Sequence, residues 1–129
     1  MTDTLVLLRG LARGCHHWGG FAGQLQQALP QARVVTPDLA GNGERHGERS
    51  PAHVTAAVAD LRRCLLERQI EPPYRLLGLS LGGMLALQWL NDYPAEVDSA
   101  VVINSSHAGL SRWYWRLRPA AAARLLLAA

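Results

Sequence analysis

A serine with a glycine two positions away on either side, Gly78-Leu79-Ser80-Leu81-Gly82, falls where an apolar run ends and a helical repeat begins. A hydroxyl at such a corner has the chemistry of a nucleophile toward an acyl carbon. A sharp strand-to-helix turn strains the backbone of its central residue, and the residues two before and two after it must be small to avoid collision. Gly78 and Gly82 meet that demand. The turn lifts the Ser80 hydroxyl above the sheet and aims the N–H of Leu81, at the helix start, toward the negative charge that develops on a carbonyl oxygen under attack. Five letters alone match by chance; the strand before and the helix after make the match informative. A dinucleotide cradle would need Gly-x-Gly-x-x-Gly, which Gly78, Gly82 and Gly83 do not supply, and no acid stands at the required distance.

Positioning that serine takes a sheet. Thr4 to Leu8 reads as a buried strand, Gly10 to Gly14 as the loop after it, and Trp18 to Leu29 as a helix that Pro30 stops. Arg33 to Thr36 is a second strand, and Asp38 to Gly47 is too rich in glycine and charge to be anything but a loop. Ser50-Pro51 looks like the cap and first residue of a helix that repeats through Val54, Ala57, Val58, Leu61 and Leu65 and ends near Gln69. Tyr74 to Leu79 is a third strand, Ser80 to Leu90 the helix after the corner, and Ala100 to Ile103 a fourth strand. Strands alternating with helices at this spacing imply an α/β fold: a parallel sheet of about four strands with helices on both faces.

Composition bounds the rest. A chain of 129 residues that is 49% hydrophobic and 18% charged forms one domain with a modest core. Its apolar runs are short of a membrane span, and Met1 to Leu8 has neither a basic start nor a cleavage site, so stable membrane insertion is not expected and residence in the cytoplasm is. Cys15 and Cys64 then read as free thiols. All thirteen basic residues are Arg, which excludes a Schiff-base or phosphate-loop lysine. Residues 1 to 98 are nearly neutral, whereas the remainder carries Arg112, Arg116, Arg118 and Arg124 with no acid.

From residue 4 to about residue 106 the chain resembles the N-terminal portion of the α/β-hydrolase fold family. Besides the serine corner, Leu8-Arg9-Gly10-Leu11 is similar to that family's oxyanion segment, with Arg where the family usually has His, and Asp38-Leu39-Ala40-Gly41-Asn42-Gly43 is similar to its Asp-x-x-Gly-x-Gly loop. The resemblance implies an incomplete α/β-hydrolase sheet, with the first and third strands at the centre, the second outside the first and the fourth outside the third. It implies a second oxyanion N–H from Leu11, and a substrate pocket touched by Gly10, Leu11, His17 and Trp113. Residues 1–110 would be the partial core. Residues 111–129, a basic aromatic and Ala/Leu-rich helical tail, lie where many relatives begin a lid. The expected activity is hydrolysis of an ester, thioester, lactone or similar acyl bond through an acyl-enzyme on Ser80, with a small acyl compound as substrate and no cofactor.

That family completes its nucleophile with an acid and a histidine from later strands. Here the acids after Ser80 are Asp92, Glu96 and Asp98, placed at a helix end or just before the fourth strand, on the edge away from Ser80. His107 is the one later histidine and the one candidate base, without a partner carboxylate. His16 and His17 read chiefly as polar residues at a helix start, His46 and His53 as solvated surface, and Cys15-His16-His17 has no second pair to form a metal site. The second and fourth strands look like edges without charge or proline, which invites self-association. Arg interleaved with aromatics at 111–118 is too little to imply nucleic-acid binding. The alternative is a catalytically incomplete fragment, or a binding module that keeps the pocket without the base.

Overall fold

The computed structural model describes residues 3–10, 15–103 and 105. Leu11, His107, Trp113 and the tail at 111–129 lie outside the described residues.

Four parallel strands form one sheet in the order β2-β1-β3-β4: β1 (Asp3–Leu8), β2 (Ala32–Val35), β3 (Tyr74–Leu79) and β4 (Val97–Ile103). Three helices connect them: α1 (Phe21–Ala28), α2 (Val54–Glu67) and α3 (Leu81–Asp92). The step from β1 to β2 runs opposite to the steps from β2 to β3 and β3 to β4. Right-handed crossovers therefore put α1 on one face and α2 with α3 on the other. Val6, Leu8, Tyr74 and Leu76 of the strands meet Val58, Leu61 and Leu65 of α2 and Leu85, Ala86 and Trp89 of α3 in a single cluster. Leu7, also fully buried, falls outside that cluster because alternate residues of a strand face opposite ways.

Several boundaries move from their sequence positions. Helix α1 starts at Phe21, preceded by a 3-10 turn at Cys15–Trp18, and a second short turn, Gly43–Arg45, lies inside the glycine-rich loop. Ser50-Pro51 does not open α2; His53 occupies the cap, and Ser50 instead packs beside Gly41, whose φ of +88° suits a residue without a side chain. Strand β4 begins three residues early, so Asp98 lies within it. Cys15 and Cys64 are free thiols, and His46 and His53 are exposed.

The edges are less bare than the sequence suggests. Exposed Arg33 sits within β2, and the Gln26 side chain donates to the Ala32 carbonyl at 2.7 Å and accepts from the Val34 N–H at 3.0 Å. Groups that an added strand would need are thereby occupied. Asp98 charges the start of β4, but its outer half stays apolar, with Val101 54% and Ile103 44% exposed.

Half-buried ion pairs fasten the loops to this frame. Arg62 binds Glu96, which also accepts from the Trp89 indole at 3.1 Å, and Arg45 joins Asp60 at 2.7 Å. The hydrogen bond from Arg62 holds the Glu96 carboxyl below the usual carboxylate range, and the one from Arg45 does the same for Asp60. A carboxylate whose folded pKa is depressed stabilises the fold above its unfolded value of about 4 and loses that contribution as pH falls through the folded value. The melting temperature is therefore expected to drop steeply below about pH 4. Glu96→Gln should cost about 2 kcal/mol at pH 7 and make that acid limb shallower, as thermal melts across pH would read.

Candidate functional site

Ser80 stands at the carboxyl end of β3, between the strand and the first residue of α3, with φ +58° and ψ −117°. An L-residue enters that region only when its surroundings enforce it. Three contacts do so. The Ser80 N–H donates to the Ile103 carbonyl of β4 at 2.9 Å, and the Ser80 carbonyl accepts from Gly83 N–H at 2.9 Å and from the Ser105 hydroxyl at 2.7 Å. A serine at a helix N-terminus normally turns its own oxygen back onto the first-turn N–H groups. Here the backbone lies outside the capping region and no such bond forms, so the hydroxyl of this exposed residue is not used by the helix.

Glycines let the corner close. A Cβ on Gly78 would collide with the backbone of Gly82, and one on Gly82 would collide with the Leu8 carbonyl. A Cβ on Gly83 would come within 2.7 Å of Val102 and Ser105. Gly10 is buried against the corner itself, its absent Cβ lying 3.3 Å from Ser80 Cβ and 3.8 Å from Ser80 Oγ. Gly83 is the first residue of α3 to bond back to Ser80, so the N–H groups of Leu81 and Gly82 precede the helical ladder. They stand at the positive end of the helix dipole, directly after Ser80 in the chain.

The loops around the corner are tied to one another. Asp38, nearly buried, accepts from the Cys15 N–H at 2.6 Å and from the Glu44 N–H at 2.9 Å. Gly43, at φ +53°, has no room for a side chain beside that carboxylate. Burial, followed by the nearby Asp38 charge, pushes the Cys15 thiol up, which disfavours its reactive thiolate. Arg9 is half-buried, its guanidinium 5.2 Å from the Trp18 ring centre and its Nε without a hydrogen-bond partner.

Ser80, Leu81 and Gly10 thus come together. His17 is exposed on the 3-10 turn, its ring 4.1 Å from that of His16. Among the described residues no group of three or more His, Cys, Asp or Glu side chains is placed to hold a metal ion. Asp92 accepts from Gln88, Glu96 is held by Arg62 and Trp89, and Asp98 shares Arg75 with Asp3 at the strand starts, the end of the sheet away from Ser80. Sequence reasoning missed Gly83 and Ser105. A third glycine directly after Gly82 was a usable signal for the first, whereas the Ser105 hydrogen bond spans 25 residues and had none.

The chain matches the profile of the alpha/beta hydrolase fold over residues 3–122, and it belongs to that family. It is 34% identical over 108 residues to a protein of Variovorax paradoxus provisionally named carbamate hydrolase RutD, covering 80% of this chain and 38% of that one. The thioesterase RedJ of the prodiginine pathway in Streptomyces coelicolor superposes with a TM-score of 0.73 at 21% identity, over 98% of this chain and 48% of RedJ. A provisionally named lipase of Acinetobacter baumannii also gives 0.73, at 27% identity over 99% and 42%. The chain spans between 28% and 38% of the length of the curated relatives it matches. No helix of the described residues is long and apolar enough to cross a membrane.

Gly82→Ala should be the most damaging small change at the corner, because its methyl meets a backbone carbonyl that has nowhere to retreat. A loss of about 3 kcal/mol or more is expected, whereas Ala at Gly23, inside α1 with an open Cβ position, should gain up to about 1 kcal/mol. Chemical denaturation of the two variants compares them directly.

Proposed function

We propose that the chain carries the nucleophile half of a serine hydrolase acting on an ester, thioester, lactone or related acyl bond. The observation that carries this is the exposed Ser80 hydroxyl on a backbone strained to φ +58°, next to N–H groups that the helix does not use. In the reaction Ser80 Oγ attacks the acyl carbon and passes its proton to a base. The carbonyl oxygen becomes an oxyanion facing the Leu81 N–H and, on the family pattern, the Leu11 N–H. The alcohol, thiol or equivalent leaves with a proton as the carbonyl re-forms, and water releases the acyl group from Ser80. The carbamate hydrolase and thioesterase names of its relatives support this class of acyl chemistry. His107 is the base that this chain itself offers, and Gly10, His17 and Trp113 stand as substrate contacts.

A second reading, a pocket-bearing module without turnover, is favoured by the placement of Asp92, Glu96 and Asp98 at the sheet end away from Ser80. Without a complete triad, only roughly 10³- to 10⁴-fold acceleration over water remains from binding and oxyanion donors. An alkyl fluorophosphonate should label wild-type chain at one site and leave Ser80→Ala unlabelled, as intact-protein mass spectrometry would show. A well-folded wild-type chain that takes no label would establish the module instead. The exposed apolar half of β4 also supports self-association, so light scattering should show a mass that rises with concentration; a constant monomer mass removes that part of the proposal.

A further inference from the structure

We infer that a cavity behind the serine corner is the binding site for an alkyl chain, the hydrocarbon part of an acyl compound; its role in turnover rests on the hydrolase reading above. The cavity holds about 240 Å³ and opens between the loop after β2, the start of α2 and the first turn of α3. Leu39, Val54, Ala57, Leu81 and Leu85 make its apolar wall, while Asn42 and the exposed Ser50, Ala52 and His53 also line it. Ala57 and Leu85 are buried at its inner end.

Leu81 connects this space to the corner. Its N–H directly follows Ser80 and precedes the helical ladder, while its side chain, one helical turn from Leu85, lines the cavity with Val54 and Ala57 of α2 and packs against the core cluster. A carbonyl bound at that N–H would therefore have an apolar wall within one residue of it. Size selects the occupant. An apolar cavity of about 150 Å³ holds benzene, so 240 Å³ suits roughly six to nine carbons. The buried inner end, formed by Ala57 and Leu85, offers no side-chain hydrogen-bonding group, so the part of a ligand that reaches it is hydrocarbon.

Hexanoate is the probe for the cavity, read by methyl NMR shifts at Val54 and Leu85 in both wild type and Ser80→Ala. Saturable shifts in both are expected, with affinity at least five-fold weaker in Ala57→Phe, which fills the inner end. Ala52→Phe, at the exposed rim where folding is not at stake, should weaken binding in the same direction. For turnover, the labelling-rate ratio of hexyl to methyl fluorophosphonate should fall at least five-fold in both variants relative to wild type. Absence of hexanoate shifts, or binding and rate ratios unchanged in both variants, overturns the inference and leaves the serine reading intact. Binding that depends on Ala57 in a chain that no phosphonate labels supports the alkyl site while removing the serine reading.

Discussion

The Leu8 carbonyl and the Cα of Gly82 lie so close that only hydrogen fits between β1 and the first turn of α3. That contact sets how deep the helix sits against the central strands. With α3 seated there and β3 running straight into it, the chain has one residue in which to change direction. Ser80 absorbs the turn at φ +58°, and neighbouring backbone keeps it there: Ile103 on its N–H, Gly83 and Ser105 on its carbonyl. Strain at one residue is stable only when surrounding packing over-determines it, and the fully buried side chains of Trp89, Leu85 and Ala86 anchor the far turns of the same helix.

The same docking decides what is left available at the carboxyl end of the sheet. The serine hydroxyl is not folded back as a cap, and Leu81 and Gly82 keep their N–H groups outside the helical ladder. Asp38 ties the loop after β2 to the turn at Cys15, so two loops that border the site are held by one carboxylate. Hydrogen bonding across a low-dielectric loop cluster fixes geometry better than surface charge pairs do, since water competes less for the acceptor. Behind the corner, the gap between α2 and α3 that is not filled by Leu81 and Leu85 becomes the apolar cavity.

The ion pairs of β1, β3 and β4 lie at the other end of the sheet. Arg62, Glu96, Arg75, Asp3 and Asp98 pair beside the starts of the strands, where they lock β4 to its neighbours and to α2. None of the three acids that follow Ser80 in the chain serves its hydroxyl. The aliphatic side chains of Val101 and Ile103 are exposed, at the opposite end of β4 from these ion pairs.

Local pattern alone determined the strand and helix types, the place of the corner, and the need for small residues at 78 and 82, because alternation, turn chemistry and close approach act over a few residues. The family resemblance added the strand order. Tertiary structure decided where elements stop: the 3-10 turn before α1, the cap at His53 rather than Ser50, and the early start of β4 all follow from packing that local preference cannot anticipate. It also decided that Gln26 blunts the β2 edge, that Ser105 clamps Ser80, and that a cavity survives beside Leu81. Each joins residues through space, and one amino-acid sequence carries no local signal for a contact whose two halves lie on different elements.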